Sequence, residues 1–170
     1  VGPDANDYLG THRAWSVVRI DGREGWRMMG FPATQATLGE ILDPLWTQGA
    51  GSGNQAEGAP NVYRYVPESS ELEPVADLSR IPESGEGFFV YVREGSASGE
   101  ATTGFPRFLT FPSSPVSDEP VTLPVAQTAG QWRLIANPFP HEIDWEDPAW
   151  TRSGVSESMR SAAKSSWSAW

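Results

Sequence analysis

Part of this chain is repeated. Two short strings return in the same order: WRMM at 26–29 and DPLWT at 43–47 become WRLI at 132–135 and DPAWT at 147–151. Tryptophan seldom matches by chance, so the repeat indicates one domain, 25–154, built from two related units, 25–93 and 130–154. We therefore expect the repeated tryptophans to occupy equivalent positions, in the core or against hairpins. These pairs are Trp26 with Trp132 and Trp46 with Trp150.

The composition favours an all-β fold. The chain has 17 glycines and 15 prolines, and both residues punctuate strands and damage helix interiors. Apolar residues alternate over several short stretches between these turn residues. Together these patterns predict a jelly-roll-like β-sandwich made of two related halves. The expected strands are 14–20, 26–31, 62–66, 87–92, 107–111, 121–125 and 132–136.

One short helix is predicted near 37–42. The string TLGE at 37–40 has the form of a capping box, and apolar residues follow at helical spacing. The string GFFVYV at 87–92 is apolar on both faces, which predicts a central strand buried on both sides. The other segments are interpreted as a lead-in strand at 1–24, a mobile loop at 49–60, an acidic turn at 67–73 and a polar tail at 155–170.

The charge excludes several kinds of partner. The formal net charge is −10, and every basic residue except Lys164 is an arginine. A surface of this sign repels phosphate, so we predict no binding to nucleic acid or anionic membranes. No apolar stretch reaches the ~20 residues that a membrane-spanning helix needs, so we predict no membrane insertion. The predicted partners are surface glycans, cations, other protein subunits or copies of the same chain.

Catalytic motifs are weak, and we predict that the chain is not an enzyme. Cysteine is absent, which excludes thiolate metal sites and cysteine nucleophiles. The string GAGSG at 49–53 has the wrong spacing for a nucleophile elbow and favours a flexible loop. His12 and His141 are the only histidines, and neither has a recognisable catalytic context. A glycoside hydrolase remains the third alternative, because its two carboxylates need only be close in space.

Four carboxylates near the end of the second unit form a candidate cation site. Glu142, Asp144 and Glu146 alternate, and Asp147 follows them. In an extended segment the first three would project to one side, and crowded oxygen ligands suit calcium. A solvated acidic turn is the alternative. No other cofactor is predicted.

Tryptophans without a counterpart in the repeat are candidates for ligand binding. They are Trp15, Trp145, Trp167 and Trp170. An exposed indole can cover the C–H face of a sugar ring, which makes a carbohydrate-binding module the second functional hypothesis. We select Trp145, Trp167 and Trp170 as the candidate binding residues, with core packing as the alternative for Trp145.

Four strings give the chain a resemblance to a known group of domains. They are GWRMM at 25–29, DPLWTQG at 43–49, GEGFFVYV at 85–92 and WRLIANPFPHEIDW at 132–145. With these strings the chain resembles the β-rich repeat domain of large secreted surface proteins of the Bacteroidota, many of which are exported by the type IX route. The resemblance implies a non-catalytic, extracellular, adhesin-like or structural module at the bacterial cell surface.

The second unit ends early compared with that pattern. Where further strands are expected, the chain has a mostly small and polar segment at 156–169. A short second unit leaves a sheet edge unpaired, and a strand from another chain can add to such an edge. We therefore predict self-assembly through this edge, with Trp167 and Trp170 anchored in a partner. An excised fragment with a disordered tail is the alternative.

Overall fold

The computed structural model describes residues 14–31, 35–55, 57–95, 104–113, 122–123, 130–139, 143–144, 146–149, 151 and 153. Its elements are β1 (Ala14–Ile20), β2 (Gly25–Gly30), α1 (Leu38–Leu42), β3 (Val62–Val66), β4 (Glu71–Pro74), β5 (Gly87–Val92) and β6 (Arg107–Ser113). The prediction of an all-β protein with a short helix near 37–42 is confirmed. Most of the strand predicted at 121–125, and all of the tail at 155–170, lie outside the described residues.

The strands form two antiparallel sheets. β2, β5, β3 and β4 make a four-stranded sheet in that order, and β1 pairs with β6 in a two-stranded sheet. Buried side chains from both sheets and the helix form one core. In this core the ring of Phe31 lies 6.5 Å from that of Phe88 and 5.4 Å from that of Phe111, measured between centroids. The arrangement is sandwich-like, as predicted.

Helix α1 packs its apolar side into this core. Thr37 and Glu40 form the predicted capping box: the Glu40 N–H donates to Thr37 Oγ1 at 3.2 Å, and the Thr37 N–H donates to the Glu40 carboxylate at 2.7 Å. Leu38, Ile41 and Leu42 are completely buried. Five residues are too few for an independent helix, so the cap and the core hold it in place. None of the helices in the described ranges is long and apolar enough to cross a membrane.

An edge strand, β4, occupies part of the segment predicted as an acidic turn. The turn itself is shorter than predicted: the Ser70 N–H donates to the Pro67 carbonyl at 3.3 Å, and β4 begins directly afterwards. An ion pair of 3.1 Å between Arg64 and Glu73 joins β3 to β4. The string ELEP has low strand propensity, so pairing with β3 determines its conformation.

The glycine-rich loop that was predicted to be mobile is tied to the sheet by asparagines. Asn61 is 2% exposed, and its Nδ2 donates to the carbonyl groups of Trp46 at 2.6 Å and Tyr91 at 3.0 Å. Its Oδ1 accepts from the Gln48 N–H at 2.8 Å. Asn54 holds the neighbouring turn in a similar way. These side chains satisfy backbone groups that a buried loop would otherwise leave unpaired.

The segment 132–136 does not form the predicted strand. It joins the four-stranded sheet through one isolated bridge, between Ile135 and Glu86. Trp132 on this segment is 55% exposed, and Trp26 on β2 is 52% exposed. The core, which was one of the two positions expected for this pair, is therefore excluded. The two copies of the string pair differently, since β2 pairs with β5 along its whole length, whereas the segment is bridged to Glu86, directly before β5.

Candidate functional site

The outer side of the four-stranded sheet carries a set of aromatic and apolar residues. Cross-strand partners share a face of a sheet, and so do strand residues two positions apart. By these rules one face contains the following residues, which we call the aromatic face: Trp26, Met28, Tyr63, Tyr65, Leu72, Phe89 and Tyr91. The opposite face, which includes Phe88 and Val90, is buried in the core. β5 is therefore central, but it is fully buried on one side only.

Trp26 is the most exposed ring of the aromatic face. Its centroid lies 5.3 Å from that of Tyr91 and 5.6 Å from that of Tyr63, with interplanar angles of 79° and 68°. Edge contacts of this kind are worth about 0.5–1.5 kcal/mol each and hold the indole on the sheet. Neither tyrosine stacks in parallel on the indole, and 52% of Trp26 stays exposed. A fixed, apolar plane is thus available to a ligand.

One end of the aromatic face is polar. The Glu24 carboxylate accepts hydrogen bonds from the Tyr91 hydroxyl at 2.9 Å and from the Glu94 N–H at 3.2 Å. The backbone bond first, and then the tyrosine bond, lower the pKa of Glu24. The bond to Glu24 also raises the pKa of the Tyr91 hydroxyl. The Arg93 guanidinium lies 5.3 Å from the centroid of the Tyr91 ring. The Glu24 carboxylate, as an acceptor, and the Arg93 guanidinium, as a donor, therefore stand beside the rings.

A buried hydrogen bond and an aromatic ring fix this polar end. The Tyr91 N–H donates to the Asn61 carbonyl at 2.8 Å, which holds the end of β5 against the start of β3. The Arg93 guanidinium lies 5.8 Å from the centroid of the Trp46 ring and 5.3 Å from that of the Tyr91 ring. Trp46 is partly buried, and Trp150, its counterpart in the repeat, lies outside the described residues.

The chain itself covers the other end of the aromatic face. Gly30 and Gly87 are cross-strand partners there. A Cβ atom at Gly30 would lie 1.8 Å from the Cβ of Ala136, and one at Gly87 would lie 2.5 Å from the Cγ of Leu134. Glycine at these positions lets the segment approach the sheet closely. The segment 134–136 therefore covers this end, and none of the described residues covers Trp26 in the same way.

The two-stranded sheet has a second exposed apolar surface. Trp15, Val17 and Phe108 lie on its outer side and are 62%, 48% and 51% exposed. We call these residues the β1–β6 face. Trp15 makes no ring contact within the described residues, unlike Trp26. Within the described residues β1 and β6 pair only with each other, so neither has a second neighbouring strand there.

The predicted calcium ligands do not gather where the structure describes them. Asp144 Oδ1 accepts from the Glu146 N–H at 2.9 Å, and Asp147 Oδ1 accepts from the Ala149 N–H at 2.8 Å. Each aspartate thus caps a turn, whereas the calcium hypothesis requires an extended segment. Glu142 lies outside the described residues. Within those residues no group of three or more potential ligands could hold a metal ion.

Other polar clusters fasten the backbone. The Ser52 hydroxyl donates to Asp77 at 2.7 Å and accepts from the Leu78 N–H at 2.6 Å. Arg80 and Glu86 form a two-pronged ion pair, with N–O distances of 2.9 and 2.6 Å. Ser52, the serine of the GAGSG string, therefore links its loop to Asp77 and Leu78.

The residues that the sequence predicted to bind a ligand are not among those of the aromatic face. The candidates Trp145, Trp167 and Trp170 lie outside the described residues, as do His12 and His141. The aromatic face was missed, although a signal for it was present. The strings GWRMM, VYRYV and GFFVYV each carry aromatic residues that strand alternation can place on one face.

Comparison with known proteins gives no relative for this chain. It has no significant match among protein-family models, curated proteins or solved structures. Its function is therefore inferred from its own residues.

Proposed function

We propose that this chain is a non-catalytic structural or adhesion module of an extracellular bacterial surface protein, and that it attaches through the aromatic face. The observation that carries the proposal is Trp26, which is held by Tyr63 and Tyr91 and is still 52% exposed. Contiguous apolar patches on a soluble protein commonly mark interaction sites. Because the rings are already fixed, binding orders few side chains and loses little entropy.

The polar groups of the described residues support a non-catalytic role. A carboxyl group that acts as a general acid usually has a raised pKa. Hydrogen bonds, from backbone N–H groups first, lower the pKa of both Glu24 and Asp77 instead. Arg80 and Glu86 are paired with each other. These groups stabilise the fold or keep a carboxylate charged.

The extracellular part of the proposal rests on the sequence. The chain resembles secreted surface domains over about 25–154. Its net charge of −10, with a single lysine, also suits a medium in which salt screens surface charge.

Assembly between copies is the second candidate, and the β1–β6 face favours it. Trp15, Val17 and Phe108 are exposed beside strand edges that are unpaired within the described residues. Strand addition needs only backbone donors and acceptors together with a few side-chain contacts. The predicted tail anchors, Trp167 and Trp170, belong to this candidate.

Two exposed tryptophans on opposite sheets separate the candidates. Beads that carry the full chain are applied to surfaces coated with cellulose, chitin or gelatin, while light scattering reports self-association in solution. Trp26→Ala should abolish attachment to the surface that retains the wild type, because it removes the most exposed ring of the aromatic face. Trp15→Ala is the matched control and should leave attachment unchanged.

Opposite results contradict the proposal. Attachment that survives Trp26→Ala would do so, as would a wild-type chain that none of the three surfaces retains. For the second candidate, Trp15→Ala should reduce the fraction of oligomer. A chain that stays strictly monomeric at high protein concentration would eliminate that candidate.

A further inference from the structure

We propose that the aromatic face binds a neutral oligosaccharide, with Trp26 as the stacking ring and with Glu24, Tyr91 and Arg93 as hydrogen-bonding groups. This inference rests on the proposed function and names the class of ligand that the same face takes.

The shape of the face suits a sugar ring. A pyranose presents C–H groups on its faces and hydroxyl groups around its rim, so it pairs best with a flat apolar surface bordered by polar groups. Trp26 supplies the flat surface, because Tyr63 and Tyr91 meet it at steep angles and do not stack on it. An aromatic plane with a few placed polar groups is typical of sites that orient small ligands.

The polar end can satisfy hydroxyl groups. Within the described residues each oxygen of Glu24 accepts one hydrogen bond, from the Tyr91 hydroxyl and from the Glu94 N–H. A carboxylate has about four acceptor positions, so roughly two remain for a ligand. Arg93 forms no ion pair within the described residues, and its guanidinium lies beside the Tyr91 ring. Acceptor and donor stand together, as a hydroxyl group requires, since it both donates and accepts.

The charge of the protein selects a neutral saccharide. The chain has a net charge of −10, and Glu24 stands at the polar end of the site itself. A sulfated or uronic-acid ligand would bring its own negative charge toward this carboxylate and be repelled. A neutral sugar can instead donate its hydroxyl protons to it.

The face is wider than one ring. β2, β5 and β3 are successive strands about 4.8 Å apart, so their rings extend over roughly 10 Å across the sheet. Phe89 and Tyr63 continue the surface from Trp26, and both are partly exposed. The segment at 134–136 closes the other end. These dimensions favour a short oligosaccharide that crosses the strands.

A protein partner fits the polar end less well. A dry protein interface would remove water from Glu24 and Arg93, and unpaired charges at such an interface are costly. Sugar hydroxyls replace the lost water bonds directly.

Calorimetry with the full chain tests the inference. The probes are cellohexaose, laminarihexaose, xylohexaose and chitohexaose, with hexagalacturonate as the acidic probe. We expect at least one neutral hexasaccharide to bind and hexagalacturonate to bind much more weakly. Trp26→Ala should weaken binding by about tenfold or more, as expected for the loss of an anchoring ring. Trp15→Ala should leave the affinity unchanged.

Two further variants keep the test independent of folding. Tyr91→Phe retains the ring and removes only its hydroxyl, so it should weaken binding by a few-fold. Trp26→Phe retains an aromatic ring on β2 and should abolish the change in tryptophan fluorescence that the ligand causes in the wild type.

Several results would overturn the inference. They are no binding of any neutral probe at millimolar concentration, binding of hexagalacturonate that is as tight or tighter, or an affinity unchanged in both Trp26 variants. If the sugars fail while attachment to gelatin still depends on Trp26, this inference fails and the proposed function stands. If that attachment is absent as well, both fail.

Discussion

Phe88 and Phe89 are neighbours on β5, yet they have opposite surroundings. Phe88 is 0% exposed, and its ring lies in the core beside that of Phe31. Phe89 points to the other side of the sheet and is only partly buried, opposite Met28 and Tyr63. Val90 and Tyr91 repeat the contrast, since Val90 is buried and Tyr91 is partly exposed. The two faces of one strand are thus equally apolar but unequally covered.

The difference shows that apolar character alone does not determine burial. The inner face of the four-stranded sheet is covered by the two-stranded sheet and the helix, which complete one core. Within the described residues the outer face is covered at one end, by the segment at 134–136. Exposed apolar patches are common at interaction sites, which is why we propose attachment through the aromatic face.

We expect the greatest loss of stability from a substitution on the inner face. Phe88→Ala should lower the free energy of unfolding by about 4 kcal/mol, because it leaves a cavity in the core. Phe89→Ala is the matched control and should lower it by only about 1 kcal/mol, since its ring is already partly in water. Urea denaturation of both variants measures the difference. Equal losses would mean that the two faces are equally covered.

A smaller effect tests the covered end of the aromatic face. Gly30→Ala would place a Cβ atom 1.8 Å from the Cβ of Ala136, so the segment must shift. We expect a loss of about 1–3 kcal/mol, which is usual for overpacking. Gly104→Ala meets no atom within 4 Å and serves as the control. Thermal unfolding compares the two variants, and a Gly30 variant as stable as the control would exclude the close approach.

The smallest effect concerns the polar end. Hydrogen bonding to Glu24 raises the pKa of the Tyr91 hydroxyl, so Glu24→Gln should return this pKa toward the ordinary tyrosine value. The pKa of Glu24 is lowered on folding, so its contribution to stability is present above its unfolded pKa and disappears as the pH falls through the folded pKa. The stability of Glu24→Gln should lack this small dependence on acidic pH. An NMR titration measures the pKa of Tyr91, with Asp21→Asn as the control. An unchanged Tyr91 titration curve in Glu24→Gln would contradict the hydrogen bond between Tyr91 and Glu24.

Local patterns predicted much of the fold. The strands at 14–20, 62–66 and 87–92 agree with β1, β3 and β5, because alternation of side chains is a property of consecutive residues. The capping box at 37–40 also formed as predicted. By contrast, β4 was missed, since its conformation depends on pairing with β3 and its own residues do not favour a strand.

The order of residues alone establishes which side chains share a face of each strand, because two-residue periodicity needs no information from outside the strand. Which face becomes part of the core depends on long-range packing. The cover of the inner face comes from β1 and β6, which lie more than eighty residues apart in the chain and meet only after folding. The position of Trp26 depends on the same long-range packing. The repeat predicted that Trp26 packs in the core or against a hairpin, and in the folded protein it lies on the aromatic face with 52% of its surface exposed.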